Sequence, residues 1–430
     1  MDVSRRKFLG TSAAAVVAAG AMSQGKVFGA NEKVRVCVIG CHGRGGSHLE
    51  GFTKSDGSEV VAICDPDERV LKARSRQMER ETGKKVKTFV DMRDVFADDS
   101  IEAVSIATPN HWHTLASIWA MEAGKDVYVE KPATWSIWEG EQLIAAQKKY
   151  GRVLQHGTQR RSDARWLRDI ALLQSGEIIG PLYMARGLGY KNGNRGSIGF
   201  KDNEEVPEWL DWRIWQGPAS EQPYNPNYVH YTWHWFWDYG NGEVGNQGIH
   251  QLDIASWGMN RGMPVKVYAN GGRYTYEDQA ETPNTLAVTF TYEDGTMFTF
   301  DVRNRFTNDE AGVGVGNLFY ADEGYYVEGK GFFDKENKQI DVDTKKYPYP
   351  RVKNCWQNFI DAVKAGDPAK VYGNAEDAHV SSALAHLANA SYRTGRSLEY
   401  DPASRSFKDD EANALLKRDY HDEFTVPELA

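Results

Sequence analysis

The stretch Val34–His48 constrains the fold of this chain more than any other. Val34, Val36, Val38 and Ile39 form the near-continuous apolar run of a parallel strand covered on both faces. Gly40, Gly43, Gly45 and Gly46 follow at once, where the backbone must turn tightly and open a helix. Such a turn aims the first free N–H groups of the helix, and its dipole, at an anion such as a dinucleotide pyrophosphate. The pattern departs from G-x-G-x-x-G, because His42 stands where the second glycine is usual and Arg44 follows Gly43. A second apolar strand, Val60–Cys64, ends in Asp65. A carboxylate there accepts hydrogen bonds from a ribose diol and repels a 2′-phosphate, so the expected cofactor is NAD and not NADP.

Strand-like and helix-like segments alternate up to Gln155, which predicts a doubly wound parallel sheet of α/β type over residues 31–155. Ligands of such sheets sit beyond the carboxyl ends of the strands. Gly40, Asp65, the run Thr108–His113 and the run Glu130–Pro132 all fall at such ends. From residue 156 to 430 the pattern changes. Strand-like runs joined by turns such as Glu293-Asp294-Gly295 predict an α+β domain built on an open, largely antiparallel sheet. Helices are expected at Ala164–Ser175 and Asn354–Ala365. Another is expected from the N-cap Asn374 to Thr394, packing back toward the first domain.

Glycine turn, acidic second-strand end, Thr108-Pro109-Asn110-x-x-His113 and Glu130-Lys131-Pro132 occur together and in this order. The chain in this respect resembles the glucose–fructose oxidoreductase / inositol dehydrogenase (Gfo/Idh/MocA) superfamily from Lys33 onward. The resemblance implies that Gly40, His42, Gly43, Arg44, Gly45, Asp65, Thr108, Asn110, His113, Glu130, Lys131 and Gln159 form the cofactor site. It also implies that the Lys131–Pro132 bond is cis, and that the far face of the second sheet builds dimers or tetramers. Hydride removal from a carbinol carbon needs a donor near the developing alkoxide and an acceptor for the hydroxyl proton. Lys131 fits the first role. His250 fits the second, at the position of the family's catalytic histidine. The family places an aspartate four residues before that histidine, whereas this chain has Asn246, a catalytic-site candidate that can hold a hydroxyl but cannot take a proton. Asp253, on the same helical face as His250, is a candidate to restore the charge.

Arg160 and Arg161 fall where the family positions its substrate. The aromatic run Tyr231–Asp238 offers Trp233, His234 and Trp237 for stacking on pyranose faces and for binding hydroxyls, although bulky aromatics also fill cores. His111 and His113 lack a third ligand at suitable spacing, so no metal is expected. Net charge −9 provides no basic field for nucleic acid.

Residues 1–30 have paired Arg5 and Arg6, a short alanine-rich run and then a polar stretch, the pattern of a twin-arginine export signal with cleavage after Ala21 or Ala30. No cysteine lies near it, so no lipid anchor is expected, and an extracytoplasmic enzyme carrying tightly bound NAD is. The expected activity is NAD-dependent oxidation of a secondary hydroxyl of a sugar or glycoside. Two alternatives stand beside it: a redox-neutral NAD-dependent glycosidase working by oxidation, elimination, hydration and re-reduction, and a non-catalytic carbohydrate-binding protein.

Overall fold

The computed structural model describes residues 29, 32–191 and 196–430, and the export pattern at the N-terminus lies outside them. Six parallel strands form the first sheet: β1 (Val34–Ile39), β2 (Ser58–Cys64), β3 (Lys87–Phe89), β4 (Ala103–Ile106), β5 (Asp126–Val129) and β6 (Leu154–His156). Their spatial order is β3-β2-β1-β4-β5-β6, so the chain reverses direction between β1 and β4. Ligands of doubly wound folds bind at that reversal. The helices between strands are α1 (Gly43–Thr53), α2 (Glu68–Thr82), α3 (Met92–Ala97), α4 (His113–Glu122) and α5 (Ile137–Tyr150). Asp67 caps α2 by accepting from the N–H groups of Arg69 and Val70.

The second unit opens with α6 (Ala164–Ser175) and β7 (Leu182–Tyr190). It continues through α7 (Trp212–Gln216), α8 (Ile249–Met259), β8 (Lys266–Gly272), β9 (Thr285–Thr291), β10 (Met297–Arg303), β11 (Val315–Ala321), β12 (Gly324–Val327) and β13 (Gly331–Asp334). After α9 (Cys355–Ala365) and α10 (Ala375–Thr394) come β14 (Leu398–Asp401), β15 (Ser406–Phe407) and α11 (Asp410–Asn413). Nine strands form one sheet in the order β13-β12-β11-β7-β10-β9-β8-β14-β15. Among the described strands of this sheet, only β7 and β10 pair in parallel. Alternation in β9 and β10 buries Leu286, Val288, Phe290, Phe298, Phe300 and Val302 on one face. Phe290 and Phe298 stack at 5.4 Å, and burying each such ring contributes about 1.5–3 kcal/mol. Helices α6, α8 and α10 cover this face.

Residues late in the chain complete the first unit. Phe359, Ile360 and Val363 of α9 pack against Val34, Val36, Val38 and Phe52. Ala375 and Ala378 of α10, with Phe424 and Val426 beyond α11, join the core formed by Ile106, Trp112 and Leu115. The parallel sheet runs to His156 in β6, and the core around it draws on both halves of the chain. The short strands β13 and β15 pair along the edges of their neighbours, and β14 alternates Leu398 and Tyr400 inward with Glu399 and Asp401 outward.

Candidate active site

The glycine turn is built by close approach. Gly40 has φ 81°, and a Cβ there would come within 2.7 Å of the Ala107 carbonyl and the Thr108 nitrogen. A Cβ on Gly45 would stand 1.9 Å from the Gly40 oxygen. A Cβ on Gly43 would meet nothing within 4 Å, so the space beside the first turn of α1 is open. The N–H groups of that turn have no acceptor within the helix. A pyrophosphate fits this cradle by shape and by charge. His42, although in place of a glycine, turns its ring outward to stack on His230 at 4.6 Å.

Asp65 is buried, and its two carboxylate oxygens accept the N–H groups of Cys41 (2.7 Å) and Asp67 (3.0 Å). Burial pushes its pKa up to about 6, against those two hydrogen bonds. Each oxygen retains a lone pair, which suits the carboxylate to a ribose diol at the mouth of the cleft.

Glu130 is the charge hub in the cleft wall. Its Oε1 accepts from Arg44 Nε (2.7 Å) and Gln159 Nε2 (3.1 Å) and lies 3.0 Å from His48 Nε2, while Oε2 accepts the Lys131 N–H. Burial alone would raise its pKa, but His48, Arg44 and Lys131 hold it well below the usual carboxylate range. Arg44, Gln159 and Glu130 thus satisfy one another and fix the end of β5. His113 is a brace of the same kind, its ring nitrogens lying against the carbonyls of Pro132 (2.6 Å) and Thr108 (2.9 Å). Thr108 and Asn110 line the cleft, and the buried Thr108 hydroxyl has no protein partner. His111 is held by the carbonyls of Trp215 and Tyr239, and burial lowers its pKa to about 3.

Lys131 lies just beyond β5, and the Lys131–Pro132 bond is cis. Its Nζ donates to the backbone carbonyl of Asn246 at 2.7 Å, and both residues line the cleft. Asn246 belongs to a π-helical turn, Val244–Gly248, that leads directly into α8. Glycines allow this turn to pack. A Cβ on Gly245 would press on Asn241, and one on Gly248 would strike Phe300. His250, one turn beyond Asn246, is not itself among the residues that line the cleft. It is half-buried, and its Nδ1 is buried without a protein partner. Burial, and then the Lys131 cation, push its pKa well below the usual histidine value, so the ring is neutral at neutral pH.

The substrate candidates separate. Trp233 lines the cleft, whereas His234 is buried with Nδ1 on the Tyr231 carbonyl, and Trp237 lies under Arg393 outside the lining. Arg160 pairs with Glu328 at 2.5 Å. Arg161, expected to meet substrate, instead donates through Nε to both oxygens of Asp253 and pairs with Asp377, all away from the cleft lining. Asp253 is on the helical face of His250 as expected, but its carboxylate is committed to Arg161. Buried opposite charges seek each other, and spacing along one helix cannot reveal a partner on another segment.

Residues not singled out from the sequence complete the wall. Trp215 and His230, with Tyr231 from the aromatic run already singled out, come from a segment of the second unit that folds over the end of β2. Trp209 O accepts the Glu68 N–H, Pro66 O accepts the Asp211 N–H, and His230 Nε2 lies 2.9 Å from Asp67. For Trp215 and His230 the signal in the sequence was the density of tryptophans between Trp209 and Trp257.

Residues 34–158 match the NAD-binding Rossmann fold of the Gfo/Idh/MocA oxidoreductase family, and residues 171–426 match its C-terminal alpha/beta domain. The chain belongs to this family. Within it, a scyllo-inositol 2-dehydrogenase (NAD(+)) of Bacillus subtilis (strain 168) is 35% identical over 152 residues, covering 35% of this chain and 43% of that protein. A glycosyl hydrolase family 109 protein of Shewanella pealeana is 32% identical over 167 residues, covering 34% and 37%. The chain thus spans less than half the length of these two curated relatives. The WlbA dehydrogenase of Bordetella pertussis, solved in complex with NADH and UDP-GlcNAcA, shares the fold at TM-score 0.62 and 20% identity, over 86% of this chain and 99% of that one. The cofactor of this Gfo/Idh/MocA member is NAD.

Proposed function

We propose that this protein oxidises a secondary hydroxyl of a sugar, polyol or glycoside. The observation that carries the reading is the Lys131–Asn246 contact at the inner end of the NAD cleft, with neutral His250 one helical turn away. NAD, held by the Gly40–Gly45 turn and Asp65, supplies the hydride acceptor. Lys131 Nζ, anchored on the Asn246 carbonyl, donates a hydrogen bond to the reacting hydroxyl oxygen and steadies the charge that develops there. His250 presents a lone pair for the hydroxyl proton as the C–H bond breaks, leaving a ketone and an imidazolium. Trp233 and Tyr231 provide apolar faces against the C–H surface of a sugar ring.

Export by the twin-arginine route and tight retention of NAD belong to the same reading, because an extracytoplasmic enzyme must regenerate the cofactor it carries. Assembly through the far face of the nine-stranded sheet, where Tyr183 and Tyr268 are exposed, completes it. Likeness to a glycosyl hydrolase family 109 protein favours a second reading, the redox-neutral glycosidase. The test is to purify the protein without added nucleotide and add a panel of polyols and glycosides. A reduced-nicotinamide absorbance band that appears and persists supports the oxidoreductase. Aglycone release without a lasting band supports the glycosidase, and neither outcome in any sugar overturns both.

A further inference from the structure

Asn246 stands where an acidic residue was expected, and the residue one turn before it accounts for the change. Glu243 immediately precedes the π-helical turn, and its side chain is fully buried. Asn246 Nδ2 donates to Glu243 Oε2 at 3.2 Å and to Tyr231 Oη at 3.3 Å. His234 Nε2 lies 3.8 Å from the same Glu243 oxygen. A carboxylate oxygen accepts hydrogen bonds, and the end of the neighbouring carboxamide that it meets is Nδ2. Nδ2 must face Glu243, and the amide atom left to face the cleft is Oδ1. An aspartate at 246 would instead set two carboxylates about 3 Å apart, where like charges oppose ionisation of both.

We propose that Glu243 is a positioning residue for substrate. It locks the Asn246 carboxamide so that Oδ1 is offered to the cleft as a neutral acceptor for a substrate hydroxyl, next to the carbonyl that anchors Lys131. The inference rests on the sugar-oxidation reading for its ligand. Its chemical consequence is specificity. The site takes a neutral polyol or glycoside that donates a second hydroxyl beside the carbon being oxidised, and a substrate with a deoxy or O-methyl group at that position loses the contact. Asn246 holds this hydroxyl without removing its proton, so proton removal stays with His250.

The test is a reciprocal exchange in the full-length protein carrying its NAD. Glu243→Gln lets the carboxamide turn either way. It is expected to raise KM for the sugar about 5- to 10-fold, with kcat within about 3-fold and NAD occupancy unchanged. Asn246→Asp is expected to lower kcat/KM about 100-fold, because two carboxylates then compete for one site. The double variant Glu243→Gln/Asn246→Asp restores one carboxylate and one carboxamide in exchanged places, and it is expected to regain about 10-fold or more of that loss. An unchanged KM in Glu243→Gln, or simple additivity in the double variant, would overturn the proposal. A readout independent of turnover separates this proposal from the activity. In protein labelled with 15N-asparagine, the side-chain NH2 signal that vanishes in Asn246→Asp is expected to exchange slowly with water in the wild type. In Glu243→Gln it is expected to exchange about 10-fold faster. If no sugar reduces the cofactor yet this difference is found, the positioning holds and the sugar-oxidation reading fails. If exchange is equally fast in both, Glu243 does not hold the amide.

Discussion

Lys131 Nζ and the backbone carbonyl of Asn246 meet at 2.7 Å, joining the end of β5 in the parallel sheet to the turn that opens α8 over the second sheet. The ammonium is therefore positioned by both units at once. Lys131→Met should lower kcat about 10²- to 10⁴-fold, the range for loss of one positioned donor or proton-transfer group. Because the side chain is only half-buried, the denaturation midpoint and NAD occupancy should stay near wild type. Unchanged turnover in a variant that still binds NAD would remove Lys131 from the chemistry.

The glycine turn separates folding from binding. Gly45→Ala places a methyl group against the Gly40 carbonyl, so the turn must open, and both stability and NAD binding should fall. Gly43→Ala meets no protein atom, yet it occupies the space assigned to the pyrophosphate. Its melting temperature should match wild type while its NAD dissociation constant rises about 10-fold or more. Isothermal titration of the two variants checks both halves, and unaltered NAD affinity in Gly43→Ala would place the pyrophosphate elsewhere.

Asp65 gives a pH dependence with a definite sign. Burial raises its pKa to about 6, so below that pH the apoprotein holds a proton on the group that must accept the ribose hydroxyls. Hydroxyl donors favour the ionised form, so NAD binding releases this proton at low pH. Affinity for NAD should therefore weaken about 3- to 10-fold from pH 7 to pH 5 and level off above pH 7. Burial and the Lys131 cation push the His250 pKa down, which disfavours protonation of the base, so kcat at saturating NAD should decline less than NAD affinity does. A parallel fall in kcat would point to protonation of the base instead.

Arg161 should act on stability rather than on substrate. Its guanidinium and the Asp253 carboxylate are both buried, and removing one partner leaves the other charge without its counterion. Arg161→Met is expected to destabilise the fold by about 3–5 kcal/mol in denaturant titrations while KM for the sugar stays within about 2-fold. A selective rise in KM without loss of stability would return Arg161 to the substrate site.

Local signals in the chain determined a good deal by themselves. Continuous apolar runs, glycines at a forced turn and an acidic strand end specified the parallel sheet and its NAD-binding edge, because each depends on neighbours within a few residues. Caps did the same for helices, as Asp67 and Asn374 show by satisfying the N–H groups that follow them. Lys131 and Asn246 were both candidates from sequence, each on local pattern. What only the tertiary structure decided was which side chains answer each other across segments. Asp253 was placed correctly on its helix face, yet Arg161 claims it; His113 faces the cleft but spends its ring on two carbonyls. Trp215 and His230 reach the cofactor cleft only because a distant segment folds over β2, and α9 finishes a core begun at Val34. Glu243 and Asn246, three residues apart, meet as neighbours on one helical face, a pairing that spacing permits but that only the buried carboxylate in the packed chain makes a contact. Periodicity reports which face of an element is buried, but the partner of a buried charge is chosen by desolvation and proximity in the packed chain, and no spacing rule contains that information.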